Sequence, residues 1–74
     1  MNLEVLELGD NRIRQIEGID HLQKLREFHC AKNKLTSLTG LEKLVNLKLV
    51  ACQANFIESL EGVKPLEKLE ELYL

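Results

Sequence analysis

The sequence lacks the features that direct a chain to nucleic acid, to a membrane or to a phosphate-bearing cofactor. Its net charge is −2, so it has no overall positive field to attract nucleic acid or an anionic membrane. No apolar run approaches the roughly 18 residues of a membrane-spanning helix. Its four glycines do not cluster, and none precedes the Lys-Ser/Thr pair of a phosphate-binding loop. We therefore expect no nucleic-acid partner, no membrane and no cofactor.

The pattern that is present begins with LEVLELGDNRI at positions 3–13 and recurs with a period of 22, over 25–35 and again over 47–57. A fourth copy starts with LEELYL at positions 69–74. Apolar steps of two indicate strands with one buried face. The strict steps of three from Ile57 to Leu72 favour 3₁₀ or irregular turns, because a long α-helix mixes threes and fours. The sequence predicts an α/β-type repeat solenoid, a right-handed coil with parallel strands near residues 5–7, 27–29, 49–51 and 71–73.

Each full turn of this coil carries the same set of inward positions. In all three turns, every apolar position of the set is occupied by an apolar residue. In the first turn they are Leu3, Leu6, Leu8, Asn11, Ile13, Ile16, Ile19 and Leu22. Stacked turns should therefore bury a continuous core. The inward Asn11, Asn33 and Asn55 are predicted to be structural, since an asparagine amide can bond backbone groups that no sheet ladder serves.

Glycine and cysteine also recur at this interval. Gly18, Gly40 and Gly62 indicate either positive φ or a close approach between turns. Cys30 and Cys52 take the same inward position on adjacent strands, where in-register side chains run parallel and do not face one another. We expect both thiols to be buried, reduced and free of metal.

Outward strand positions are the candidate binding surface, which we call the concave face. Its residues are Val5, Glu7, Glu27, His29, Leu49, Ala51, Gln53, Glu71 and Tyr73. Apolar and aromatic groups surrounded by carboxylates are typical of a protein-binding patch. The other interpretation is a solvated face with incidental hydrophobic residues. The opposite, convex side carries mixed charges, which are typical of a solubilising surface.

No catalytic group of residues is evident. Glu7 and His29 are expected to be neighbours across two strands, but no nucleophile and no water-excluding cleft accompany them. Ser37 and Ser59 fall on the turn side, away from both histidines. We predict that the protein is not an enzyme.

The repeat length and consensus resemble the SDS-type class of leucine-rich repeats over nearly all 74 residues. The stretches LELGDNRIRQIEGIDHL (6–22) and LEELYL (69–74) resemble the leucine-rich repeat regulatory subunits of type-1 serine/threonine protein phosphatase. That resemblance implies a concave face that holds the phosphatase catalytic subunit through acidic and aromatic strand residues. Glu7 and Tyr73 match this style of contact, whereas His29, in place of a large aromatic, and the small Ala51 depart from it.

Two other classes remain open from the sequence. One is a scaffolding leucine-rich repeat protein similar to axonemal light chains or tubulin-folding factors. The other is a bacterial surface adhesin, which would carry a signal sequence and Asp-Ile-Ser-Pro-like turns. Since Met1 leads directly into the first repeat and cysteines are few, we expect an intracellular protein of the cytoplasm or nucleus.

The expected organisation is a single array with repeats at 2–23, 24–45 and 46–67 and a partial repeat at 68–74. Neither end carries the polar cap that solenoids use to cover their terminal turns. We therefore expect a fragment of a longer array, or a chain that associates end to end.

Overall fold

The computed structural model describes residues 3–74. Its fold is built on four short parallel strands that form one sheet. The strands run β1 Val5–Glu7, β2 Glu27–His29, β3 Leu49–Ala51 and β4 Glu71–Tyr73, and they lie in the sheet in that same order. All four predicted strand positions are confirmed. The predicted start of the first repeat at residue 2 lies outside the described residues.

Every strand pair joins residues that are one full repeat apart. Leu6 pairs with Phe28, Phe28 with Val50, and Val50 with Leu72. The ladder continues past the strands, where the backbone N–H of Cys30 donates to the carbonyl of Ala51 at 2.8 Å. Because the register equals the repeat length, each inward position stacks directly on its copy in the next turn.

The connections behind the sheet explain the strict apolar period of three. Backbone N–H groups donate to carbonyls three residues earlier, as in Leu44 to Leu41 at 3.0 Å and Leu47 to Leu44 at 3.1 Å. One such stretch is a 3₁₀ helix at Glu61–Val63, and no α-helix occurs within residues 3–74. Successive 3₁₀-type bonds return every third side chain to the same side, which is the core. The predicted 3₁₀ or irregular turns are confirmed.

The core runs through the stacked turns and is deepest in the second one. The fully buried side chains there are Leu25, Phe28, Cys30, Leu35, Leu38, Leu41 and Leu44. One inward apolar prediction is wrong: Leu60, at the position equivalent to Leu38, is 44% exposed. Within the described residues, no turn covers Leu60 on the side away from Leu38. An inward position in the repeat is therefore not enough to bury the side chain.

The asparagines bond the backbone of neighbouring turns. Asn33 is buried, and its Nδ2 donates to the carbonyls of Leu8 at 2.9 Å and Cys30 at 3.0 Å while its Oδ1 accepts from Ile13 N–H at 3.1 Å. Asn55 repeats this arrangement one turn on and is partly buried. Among the residues that the structure describes, Asn11 bonds only Leu8 and Gly9 in its own turn, and it is exposed, which corrects its predicted inward burial.

The residue before each asparagine has left-handed backbone, at φ 60° for Asp10, 61° for Lys32 and 58° for Ala54. This turn aims the asparagine side chain back toward the strand it has just left. Left-handed backbone is disfavoured for residues other than glycine, asparagine and aspartate. The asparagine bonds therefore hold a backbone conformation that Lys32 and Ala54 would not adopt by preference.

Two of the repeated glycines lie where one turn meets the previous one. A side-chain carbon at Gly40 would overlap the backbone carbonyl of Ile16, and one at Gly62 would overlap that of Leu38. Gly40 also has φ +117°, so it meets both expectations for this position. The close approach between turns is confirmed at both glycines.

Candidate functional site

The concave face consists of two parallel rows of side chains that cross the four strands. The register places Val5, Glu27, Leu49 and Glu71 in the first row, and Glu7, His29, Ala51 and Tyr73 in the second. Neighbours within a row are separated by about 4.8 Å, the spacing of hydrogen-bonded strands. Apolar and acidic groups therefore alternate along the first row. The second row contains the polar rings of His29 and Tyr73 on either side of the small Ala51.

Carboxylates of the first row hold the rings of the second. The Oε1 atom of Glu27 lies 3.0 Å from Nε2 of His29, and the Tyr73 hydroxyl donates to Oε1 of Glu71 at 2.5 Å. This hydrogen bond and the charge of Glu71 raise the pKa of Tyr73, because ionisation would remove the donor and place two negative charges together. Two rings on the face are thus oriented before any partner arrives.

A shallow groove of about 310 Å³ follows the second row, lined by side chains that include Glu7, His29, Leu49 and Tyr73. Gln53 also lines this groove and is exposed. Ala51 also lines the groove, but its predicted exposure on the concave face is wrong, because it is only 8% exposed. Its small side chain lies between His29 and Tyr73 in the row, so the larger neighbours cover it.

Exposure varies along the rest of the face. Val5 and Tyr73 are 45% and 43% exposed, Glu7 and Glu71 are exposed, and Glu27, His29 and Leu49 are half-buried. The side chains most open to a partner therefore lie at the two ends of the sheet, on β1 and β4.

The predicted proximity of Glu7 and His29 is confirmed, since the two residues pair in the β1–β2 register. His29, however, bonds the carboxylate of Glu27 on its own strand. Ser37 and Ser59 pair with each other in an isolated bridge on the turn side. Among residues 3–74, no group of three His, Cys, Asp or Glu side chains is arranged to hold a metal ion. The same stretch contains no helix that is long and apolar enough to cross a bilayer.

Cys30 and Cys52 are buried and unpaired, as predicted. Burial raises the pKa of both thiols, and that of Cys52 reaches about 12 with a smaller contribution from neighbouring Cys30. Both thiols are therefore protonated at neutral pH and unsuited to nucleophilic chemistry.

One groove contains residues to which the sequence pattern assigned no role. It lies at the edge of the sheet where the amino-terminal ends of the strands meet, and it has a volume of about 510 Å³. It is lined by Glu4, Gln23, Lys24, Arg26, Asn46, Lys48 and Lys68. The signal was present in the sequence: basic residues occupy corresponding positions of successive repeats just ahead of the strands. These positions face outward, so the apolar periodicity that defines the repeats does not include them.

Parallel strands in register, with 3₁₀-type connections behind them, define a repeat solenoid. The family described as Leucine Rich repeats (2 copies) matches the chain over residues 2–43 and again over 23–65. The chain belongs to the leucine-rich repeat family. No curated protein matches it at a significant level. Leucine-rich repeats are in general non-catalytic modules for protein–protein interaction, which agrees with the two-row surface described above.

Proposed function

We propose that the concave face binds a folded protein inside the cell, in the cytoplasm or nucleus, and that the leading candidate is the catalytic subunit of type-1 serine/threonine protein phosphatase. The observation that carries the proposal is the two-row surface, in which apolar and aromatic groups alternate with carboxylates on a continuous sheet. The resemblance of residues 6–22 to the phosphatase regulatory subunits supports this choice of partner.

The orientation of Tyr73 and His29 favours binding. Protein association loses free energy whenever a mobile side chain must be ordered at the interface. Because Glu71 and Glu27 already hold these rings, part of that ordering is complete in the free protein. Tyr73 combines this preorganisation with 43% exposure, which makes it the best aromatic anchor on the face.

We also propose that the array belongs to the SDS-type class and coils in the right-handed sense. The repeat period and its consensus support the class assignment. Parallel strands joined by crossover connections are right-handed in about 98% of cases, which supports the handedness.

The test is calorimetric titration of the purified phosphatase catalytic subunit with variants of the concave face. Tyr73→Ala removes the aromatic anchor and Glu7→Lys reverses an exposed charge. Each substitution should weaken binding by about 1–3 kcal/mol if the residue is an anchor.

The chain provides a matched control for each variant. Phe56→Ala removes an aromatic that is 63% exposed away from the two rows, and Glu67→Lys reverses an exposed charge on the convex side. Glu42 is a poorer control, since its Oε1 accepts from the backbone N–H of Gly40 at 2.6 Å. Both controls should bind as the parent does. Unchanged affinity in Tyr73→Ala and Glu7→Lys would contradict the assignment, and binding to tubulin instead would support a scaffolding role.

A further inference from the structure

We propose that the groove at the amino-terminal edge of the sheet is a second binding site, which takes an extended acidic peptide segment through its side-chain carboxylates. We call the lining side chains Lys24, Arg26, Lys48 and Lys68 the basic strip. This site is distinct from the concave face and does not depend on the identity of the partner bound there.

The charge of the basic strip is opposite to that of the rest of the protein. Four cations line the groove and Glu4 is the one carboxylate among its lining residues, whereas the whole chain has a net charge of −2. The concave face beside it carries Glu7, Glu27 and Glu71. An acidic segment would be repelled by that face and attracted to the strip, so charge complementarity directs it to this groove.

The backbone N–H groups directly ahead of the strands are already bonded, so recognition there falls to side chains. The backbone N–H of Arg26 donates to the backbone carbonyl of Glu4, that of Lys48 to the carbonyl of Arg26, and that of Glu70 to the carbonyl of Lys48, each at 2.8 Å. Beside them, Asn46 donates to the carbonyl of Gln23 at 2.8 Å and accepts from Lys68 Nζ at 3.0 Å. The Asn46 side chain thus links two turns and holds the Lys68 ammonium group, beside which the other cationic side chains of the strip line the groove.

A carboxylate already occupies part of the strip. Nη1 of Arg26 donates to Oε1 of Glu4 at 3.2 Å, and both side chains remain more than half exposed at 55% and 57%. Exposed ion pairs contribute little to stability. An incoming carboxylate can therefore replace Glu4 and use the planar fork of the guanidinium more fully. Glu4 thus shows which group the strip accepts and also competes with the ligand for it.

The lining favours a peptide over other polyanions. None of the seven lining residues is aromatic, so nucleotide bases would find no stacking surface. None is a large apolar residue that could insert into a lipid interface. Lys24, Asn46 and Lys68 lie at equivalent positions of successive repeats, and so do Arg26 and Lys48, which gives the strip the form of an extended row across the turns.

The probe is a fluorescent peptide of alternating Glu and Ser residues, and binding is followed by anisotropy at low ionic strength. The double reversal Lys24→Glu/Lys48→Glu should weaken binding by about tenfold, because each reversal removes an exposed ion pair worth up to about fivefold in the equilibrium constant and replaces it with a repulsion. Glu4→Gln should strengthen binding by about twofold to threefold, since it removes the competing carboxylate. Added salt should abolish binding.

The matched control is Lys34→Glu/Lys43→Glu, which changes the net charge equally through exposed lysines away from the groove. It should alter binding by less than about twofold, the effect of distant screened charges. Circular dichroism verifies that each variant is folded, and the gain in Glu4→Gln cannot arise from misfolding. Equal loss in both double variants, no gain in Glu4→Gln, or tighter binding of an oligonucleotide or of phosphatidylserine vesicles than of the peptide would overturn the proposal.

Discussion

The second turn and its neighbours use the same sequence positions but place them in unequal surroundings. Leu38 is fully buried, while Leu60, at the equivalent position of the next repeat, is 44% exposed. Asn33 bonds two turns while Asn11 bonds one. In a solenoid, the burial of a position depends on the turns stacked on either side of it. Equivalent residues should therefore differ in their contribution to stability.

The largest difference is expected between Leu38→Ala and Leu60→Ala. Leu38→Ala opens a cavity in the fully packed second turn and should lower the free energy of unfolding by about 2–5 kcal/mol. Leu60→Ala removes a side chain that is already partly in water and should cost about 1 kcal/mol or less. Urea unfolding of both variants measures the contrast. Equal losses would show that Leu60 is as well packed as Leu38.

A smaller difference is expected between Asn33→Ala and Asn11→Ala. The first leaves the Ile13 N–H without its acceptor and removes one of the two amide donors to the Cys30 carbonyl, which keeps its bond from Asn55, so it should cost about 1–3 kcal/mol. The second exposes backbone groups that water can reach, at a cost of about 0.5–1 kcal/mol. Thermal and urea unfolding should rank the variants in that order. The reverse ranking would contradict the view that these bonds between turns stabilise the array.

The third difference appears only at high pH and concerns the position shared by Leu8, Cys30, Cys52 and Leu74, which is buried at Cys30 and Cys52 and 53% exposed at Leu74. The pKa of Cys52 is about 12 when folded, against 9.0 for an ordinary thiol. The folded chain thus keeps a proton that the unfolded chain releases. This contribution is complete below pH 9.0 and falls as the pH rises toward about 12, by at most about 1.4 kcal/mol per pH unit.

Urea unfolding at neutral pH and near pH 10, with Cys52→Ala as the reference, isolates this contribution from the titration of lysine and tyrosine. The parent should lose more stability with pH than the variant does. At neutral pH, a thiol reagent should label both cysteines slowly until denaturant is added. Rapid labelling of the native protein would contradict the buried arrangement of the two strands.

The strands and the course of the core could be predicted from sequence because the constant repeat period and the apolar steps depend only on local geometry. The steps of two and three specify strand and 3₁₀ backbone wherever they occur. They do not report how many turns cover a given residue, so the exposure of Leu60 and Asn11 could not be read from them. Ala51 shows the same limit on the surface, since its burial depends on the size of His29 and Tyr73 beside it.

The positions of the concave-face residues were predictable from strand alternation, but the bonds among them were not. Whether His29 contacts Glu7 or Glu27 depends on side-chain rotamers that the sequence pattern does not encode. The left-handed backbone at Lys32 and Ala54 was likewise not predictable, because neither residue is the glycine that usually marks this conformation. The basic strip could have been found by comparing charges at each outward repeat position.

The constant register also determines how the chain can fold. Each strand pair closes a loop of the same length, one complete repeat, so no native sheet contact forms without first ordering a whole turn. The entropy of closing such a loop rises only slowly with its length, but it opposes every pairing before the contacts of that turn stabilise it. The first pair is therefore expected to be the slow step, with each later turn adding to a template that is already in place. We therefore expect this protein to fold by nucleation followed by growth in one dimension.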